Sequence, residues 1–249
     1  MNFNNRGGFA SSIPTITKNL IIINALVWLA TIVLPNWLGI DLVEYCGLHY
    51  WLASDFNPAQ LVTYMFMHDP NGFTHLFFNM FSLFIFGRIL EQVWGSKRFL
   101  FYYLSTGLGA GLIQEITWML TATSGFALVD GNGIEAMRGA EAISYALSHG
   151  IDVGAYYNSM VTIGASGAVF GILLAFGMMF PNAPMYLMFI PIPIKAKYLV
   201  IGYGALELMF GVAGIQQGVA HFAHLGGMLV GFLILLYWKK KGVFGGRRY

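Results

Sequence analysis

Six stretches of this 249-residue chain are apolar over close to the ~20 residues that a helix needs to cross the hydrocarbon of a bilayer. They lie at about 17–36, 74–94, 98–121, 160–181, 197–214 and 218–238, the fifth being the shortest. Composition agrees, with 57% hydrophobic residues, 10% charged residues and a mean hydropathy of +0.65; soluble chains carry roughly a quarter of their residues charged. The expected fold is all-α and polytopic: one membrane domain at 17–238, a short N-terminal tail at 1–16 and a basic C-terminal tail at 239–249. Met1 to Ser12 is polar and glycine-containing, and the first apolar run is long enough to span, so no cleavable secretion signal is expected. A single cysteine, Cys46, excludes an intrachain disulfide and a cysteine-based metal site.

The charges sort by side. With six spans and a cytoplasmic N-terminus, the inner segments hold Arg6, Lys18, Arg88, Lys97, Arg98, Lys195, Lys197, Lys239, Lys240, Lys241, Arg247 and Arg248, twelve of the thirteen basic residues. Arg138 is left outside with Asp41, Glu44, Asp55, Asp69, Asp130, Glu135, Glu141 and Asp152. This is the positive-inside pattern, and it predicts that both termini are cytoplasmic. Glu91, Glu115 and Glu207 stay in or near spans, where an ionisable side chain is costly and often functional.

Between the spans, the outer connection at about 37–73 is rich in aromatics (Trp37, Tyr45, Tyr50, Trp51, Phe56, Tyr64, Phe66), as expected of a segment lying partly in the membrane interface. The outer connection at 122–159 is polar, with a short surface helix expected between Glu135 and His149 and no chemistry visible in it. Pro191 to Lys195 reads as a stiff turn before the fifth span, because proline fixes the backbone and removes a donor.

Two motifs carry chemistry. Ser166 lies in Gly164-Ala165-Ser166-Gly167-Ala168, with glycine again at Gly171. Taken alone, this small-residue surface reads first as a packing device between membrane helices. The partner changes the reading: His224 heads an Ala-His pattern in the last run, with Gly227 and Gly231 forming a second smooth face below it. Two such faces pack closely, which brings a nucleophile and a general base within hydrogen-bond reach. His221, three residues before His224, lies on roughly the same face and is placed at the wet mouth of the site. The two histidines also admit a metal-ligand reading, but they lack the His-Glu-x-x-His spacing and have no carboxylate nearby in sequence, so no metal is expected. In the second run His75 and Asn79 are four apart and project from one helix face, where an imidazole and an amide aimed at one point can stabilise a developing oxyanion. The other reading of that pair is a polar contact between helices.

These motifs resemble those of the rhomboid intramembrane serine proteases. The likeness rests on Gly164-Ala165-Ser166-Gly167, on Ala223-His224 with Gly227 and Gly231, on His75-x-x-x-Asn79, and on the run Gly87-x-x-x-Glu91-x-x-x-Gly95-Ser96, in the family's order, over about residues 17–238. It implies a six-helix bundle around a water-filled cavity, and a Ser–His dyad without a third acidic member that cleaves transmembrane segments of substrate proteins through an acyl-enzyme. Ser166 is then the nucleophile and His224 the base. His75, Asn79 and the Ser166 backbone N–H form the oxyanion hole, and Phe170 packs on the imidazole. The fifth span, with Leu206, Glu207 and Phe210, is the lateral gate, and the Ala213–Gly218 segment with Gln216 and Gln217 is the cap. Where many members carry a Trp-Arg pair in the first outer loop, this chain has Pro58-Ala59-Gln60-Leu61-Val62-Thr63, so that structural role must be met differently.

The resemblance further implies membrane-protein substrates, the lipid bilayer as partner, no nucleic acid and no cofactor. The short loops and uncleaved start point to a bacterial inner membrane, with the active site facing the periplasm. A catalytically silent relative that binds membrane clients is the competing expectation, although such relatives generally lack the serine or the histidine.

Overall fold

The computed structural model describes residues 13–121, 144, 147–150, 152–186, 192–215 and 219–243. The chain opens with α1 (Thr15–Leu38), whose first turn has no capping side chain of its own. The cap comes from a distant residue: the Glu91 carboxylate accepts the backbone N–H groups of Ile16 and Thr17 at 3.0 and 2.8 Å and the Thr17 hydroxyl at 2.8 Å. The Ser96 hydroxyl donates to the same carboxylate at 2.6 Å. A helix N-terminus presents unpaired N–H groups and a positive dipole end, so a buried carboxylate there is stabilised rather than stranded. Glu91 thus caps the backbone at the start of α1.

After α1 the first long connection folds back on itself through α2 (Leu42–Cys46), β1 (Leu48–His49) and α3 (Gln60–Thr63), the last running into a tight turn at Tyr64–Phe66. Trp37 and Tyr45 are exposed as a segment at the interface requires, yet Leu48, Tyr64, Met65, Met67 and His68 are buried. The loop is therefore also part of the core. Gln60, in the stretch that departs from the Trp-Arg pattern, is its hub: its Oε1 accepts from His49 and Asn57 N–H at 3.2 and 3.1 Å, and its Nε2 donates to the Tyr45 and Asp55 carbonyls at 3.2 and 2.9 Å.

Helix α4 (Phe73–Trp94), with a wider turn at Leu83–Gly87, leads into α5 (Ser96–Thr121). Glu115 on α5 accepts the Trp51 backbone N–H at 2.9 Å, tying the helix to the first long connection. Then follow α6 (Val153–Asn158), β2 (Val161–Thr162), α7 (Ser166–Met179), β3 (Pro184–Tyr186), β4 (Pro193–Lys195), α8 (Ala196–Ala213) and α9 (His221–Lys240). The molecule is mostly helical, and α1, α4, α8 and α9 are each long and apolar enough to cross a membrane.

Two expectations are corrected, and a third falls outside the described residues. The run at 160–181 is a shorter helix, α7, because Val161–Thr162 pairs antiparallel with Leu48–His49 and Gly164 turns the chain at φ +130°, a conformation side chains rarely adopt. Pro193–Lys195 is not a turn but a short strand paired with Pro184–Tyr186, and two such small ribbons sit within a structure that is mostly helical. Most of the 122–159 segment, including nearly all of the helix expected at 135–149, lies outside the described residues.

Helix α7 is apolar all round and buried nearly all round, against α4, α5, α8 and α9, as a helix without a polar face must be. Glycines set the distances. A Cβ at Gly227 of α9 would collide with the backbone carbonyl of Gly167 on α7, one at Gly167 would meet Ala110 of α5, and one at Gly231 would meet the Tyr102 hydroxyl. Tyr102 and Tyr64 donate to the Gly171 and Gly107 carbonyls at 2.9 and 2.7 Å, fastening α5 to α7 and the outer loop to α5. Gly227→Ala is therefore expected to lower stability by at least the ~1–3 kcal/mol typical of overpacking, because the obstructing atom is backbone. Gly202→Ala, with open space around it, is expected to be neutral or slightly stabilising; thermal melts of the two variants in one detergent make the comparison.

Candidate active site

Gly164 delivers the chain into α7 so that Ser166 is its first residue, with Ala165 as N-cap. The Ser166 backbone N–H is thus among the unpaired donors at a helix start, where the dipole favours negative charge. His224 sits in the first turn of α9, directly above the glycine contact. The close approach of the two backbones brings Ser166 Oγ to 2.7 Å from His224 Nε2. Phe170, one turn along α7, stacks on the His224 ring with centroids 4.3 Å apart and planes within 8°. His224 is only 7% exposed.

His75 and Asn79 on α4 line the same cavity as Ser166, Phe170 and His224, a space of about 820 Å³. The Asp69 backbone N–H donates to His75 Nδ1 at 3.4 Å, which leaves the ring proton on Nε2. An ideal Cβ on Gly164 would lie 2.9 Å from His75 Nε2 and 3.6 Å from Ser166 Oγ, so glycine is what lets the ring nitrogen and the hydroxyl share that corner. Asn79 Nδ2 donates to the His75 carbonyl at 3.0 Å and keeps a second N–H for the cavity.

His221 is not at an open mouth. It is buried, its Nδ1 lies 2.7 Å from Glu207 Oε2 and its Nε2 3.0 Å from the Ile215 carbonyl. The same Glu207 Oε2 is 2.9 Å from His224 Nδ1, off the line needed for an aligned hydrogen bond. Fourteen and seventeen residues separate the acid from the two histidines, so sequence neighbourhood hides a carboxylate that the fold supplies. Two nitrogen or oxygen ligands of one tetrahedral zinc lie about 3.3 Å apart; Glu207 Oε2 is closer than that to both imidazoles, at 2.7 and 2.9 Å. Of the other residues read as gate or cap, Leu206 is 45% exposed on the outside of α8, and Phe210 meets the His221 ring edge-on at 5.7 Å. Gln216 and Gln217 lie outside the described residues.

His68 is a neighbour the sequence reading missed. It is fully buried in the loop before α4, with its ring centroid 5.0 Å from that of His75. Burial, with His75 alongside, pushes its imidazole down from 6.5 to about 4. Below pH 6.5 the unfolded chain takes a proton that the folded chain refuses, so this contribution to stability is complete above about pH 6.5, falls with pH, and levels off below about pH 4. The full loss is about 3 kcal/mol. Denaturation at stepped pH is expected to show His68→Phe losing less stability than wild type across that window.

A serine hydroxyl on an imidazole nitrogen, beside a cavity that His75 and Asn79 also line, in a frame of long apolar helices marks an integral membrane protein with a candidate polar site. Comparison with known proteins places it. The Rhomboid domain model matches residues 56–241, and the chain belongs to the rhomboid family. It is 26% identical over 238 residues to the Rhomboid protease AarA of Providencia stuartii, covering 91% of this chain and 73% of that protein. It is 27% identical over 225 residues to Rhomboid-like protein 11, chloroplastic, of Arabidopsis thaliana (86% and 65%). With RHOMBOID-like protein 6, mitochondrial, of the same plant it shares 25% over 181 residues (70% and 42%), so the chain spans less than two thirds of both plant relatives.

Proposed function

We propose that this chain is an intramembrane serine endopeptidase that hydrolyses peptide bonds within the transmembrane segments of other membrane proteins. The observation that carries the reading is the 2.7 Å contact between Ser166 Oγ and His224 Nε2. In the proposed reaction His224 Nε2 takes the hydroxyl proton as Oγ attacks the scissile carbonyl. The oxyanion is met by the Ser166 N–H, the free Asn79 amide N–H and His75 Nε2–H, fixed donors of the kind worth roughly 10²–10³ each in rate. The imidazolium returns its proton to the departing amine, leaving an acyl-enzyme. Water, deprotonated by the same imidazole, then releases the acid and frees Ser166. Phe170 holds the ring in plane throughout by stacking. The scheme uses side chains and backbone of this chain alone.

The reading includes six spans with both termini in the cytoplasm, in a bacterial inner membrane, with the cavity opening toward the periplasm. Its support is the charge distribution. Substrates enter laterally past α8, whose only buried residues are Ala196 and Val200 and which is therefore the span least held by the bundle.

Purified protein in detergent, exposed to a fluorophosphonate probe and then to a generic transmembrane substrate, tests the reaction. Attack by Oγ on phosphorus expels fluoride while His224 receives the proton. Wild type is expected to label and to cleave, and Ser166→Ala and His224→Ala to do neither; Asn79→Ala is expected to retain labelling and lose roughly 10²-fold in cleavage. A folded wild type that neither labels nor cleaves overturns the peptidase reading in favour of client binding. For the gate, α8 is cross-linked to α4 through engineered cysteines after Cys46→Ser. Cleavage of the membrane substrate is expected to stop while labelling persists, and undiminished cleavage removes α8 as the gate.

A further inference from the structure

Among the described residues Glu207 is the acid in contact with His224, and it sits on the candidate span with the smallest buried share. Glu207 of α8 turns inward, with its Oε2 2.7 Å from His221 Nδ1 and 2.9 Å from His224 Nδ1. His224 Nδ1 is a buried nitrogen with no aligned hydrogen-bond partner, and that carboxylate oxygen is its neighbour. The groups facing the ring are Ser166 and Phe170 from α7 and Glu207 from α8, with His221 on its own helix and His75 across the cavity. Of these, Glu207 is the acceptor beside Nδ1.

We infer that Glu207 is a positioning residue of the active site, which holds the His224 proton on Nδ1 when α8 is closed against α9 and so leaves Nε2 free to take the proton of Ser166. The inference rests on the peptidase reading. An imidazole can accept at Nε2 only if its neutral form carries its proton at Nδ1, and an acceptor beside Nδ1 selects that tautomer. The present contact is short but bent, and hydrogen bonds of a catalytic site often become aligned only when the site is occupied. His221 keeps the carboxylate in place, its Nδ1 lying 2.7 Å from Glu207 Oε2 and its Nε2 3.0 Å from the Ile215 carbonyl just beyond the end of α8. The acid thus rides on the segment that must move to admit substrate. Opening the gate withdraws the acceptor from His224, and reclosing restores it, so the base is ready only in the closed site.

The test compares Glu207→Gln with wild type by fluorophosphonate labelling rate and by kcat and KM on a transmembrane substrate. Leu208→Ala, on the exposed side of the same helix, controls for general loosening of α8. Glu207→Gln is expected to lower the labelling rate and kcat together by roughly 10- to 100-fold with KM within about twofold, because an amide no longer selects the Nδ1–H tautomer; Leu208→Ala is expected to label at the wild-type rate. Labelling of Glu207→Gln at the wild-type rate, or an equal loss in both variants, overturns the inference while wild-type labelling leaves the peptidase reading standing. Nitrogen-15 NMR of imidazole-labelled wild type provides a reading that needs no variant to fold. The inference expects the His224 proton on Nδ1, and a proton found on Nε2 overturns it.

Discussion

At Gly227 the backbone of α9 lies so close to the Gly167 carbonyl of α7 that no side chain fits between them. Everything in the candidate site follows from that separation. Ser166 and His224 stand one and three residues above the contact on their respective helices, so the backbone approach fixes the distance between them before any side chain chooses a rotamer. In a bilayer, where lipid tails are as apolar as leucine, close backbone packing of this kind holds helices together when hydrophobic burial cannot. The glycines thus serve cohesion and site geometry by the same contact. The packing reading of the Ser166 segment and the chemical one describe two consequences of one surface.

The three acids in or near the spans are each spent on a different junction. Glu91 caps the start of α1 from the far end of α4, and Glu115 anchors the outer loop to α5 through Trp51. Glu207 joins α8 to the two histidines of α9. A carboxylate in low dielectric is tolerable only with donors around it, and each of these has found backbone N–H groups, a hydroxyl or imidazoles. The first two bind segments that frame the site. The third reaches the site itself, which is where it departs from the picture of a two-residue dyad implied by the family likeness.

Much of this was legible in the sequence, and the reasons are local. Glycine spacing at Gly164, Gly167, Gly227 and Gly231 reports close approach directly, since only a missing Cβ permits it. The four-residue spacing of His75 and Asn79 puts them on one helix face whatever surrounds them. Less legible was whatever depended on chain reversal. The apolar run before Ser166 gives no sign that Val161–Thr162 will pair with Leu48–His49, because hydropathy is the same for a buried strand and a buried helix turn. Gln60 looks like an ordinary loop residue until four backbone partners close around it. The sequence places His221 at a wet mouth because it lies near the start of its span; its burial comes from Glu207 and Phe210 of α8 packing over it. The signal that was available is that an acid at mid-span needs a partner, and the histidines of the next span are the nearest candidates.

The division of labour between rigid and loose helices has a consequence for how such a site can work in lipid. Ser166, Phe170 and His224 belong to α7 and α9, and His75 and Asn79 to α4, elements locked by backbone contacts and buried side chains. A hydrolytic site needs that fixity, since a displacement of about 1 Å can cost roughly 10²-fold in rate. Yet a polypeptide substrate must pass between helices to arrive from the bilayer. Placing the opening at α8 reconciles the two demands, because its outward side chains, Leu206 and Leu208 among them, are exposed and little is lost when it swings. Among the described residues Glu207 and Phe210 are the side chains of α8 that meet the histidines. In the proposed reading the gate is fastened to α9 through Glu207, the same group inferred to orient the base, so opening and base orientation are coupled.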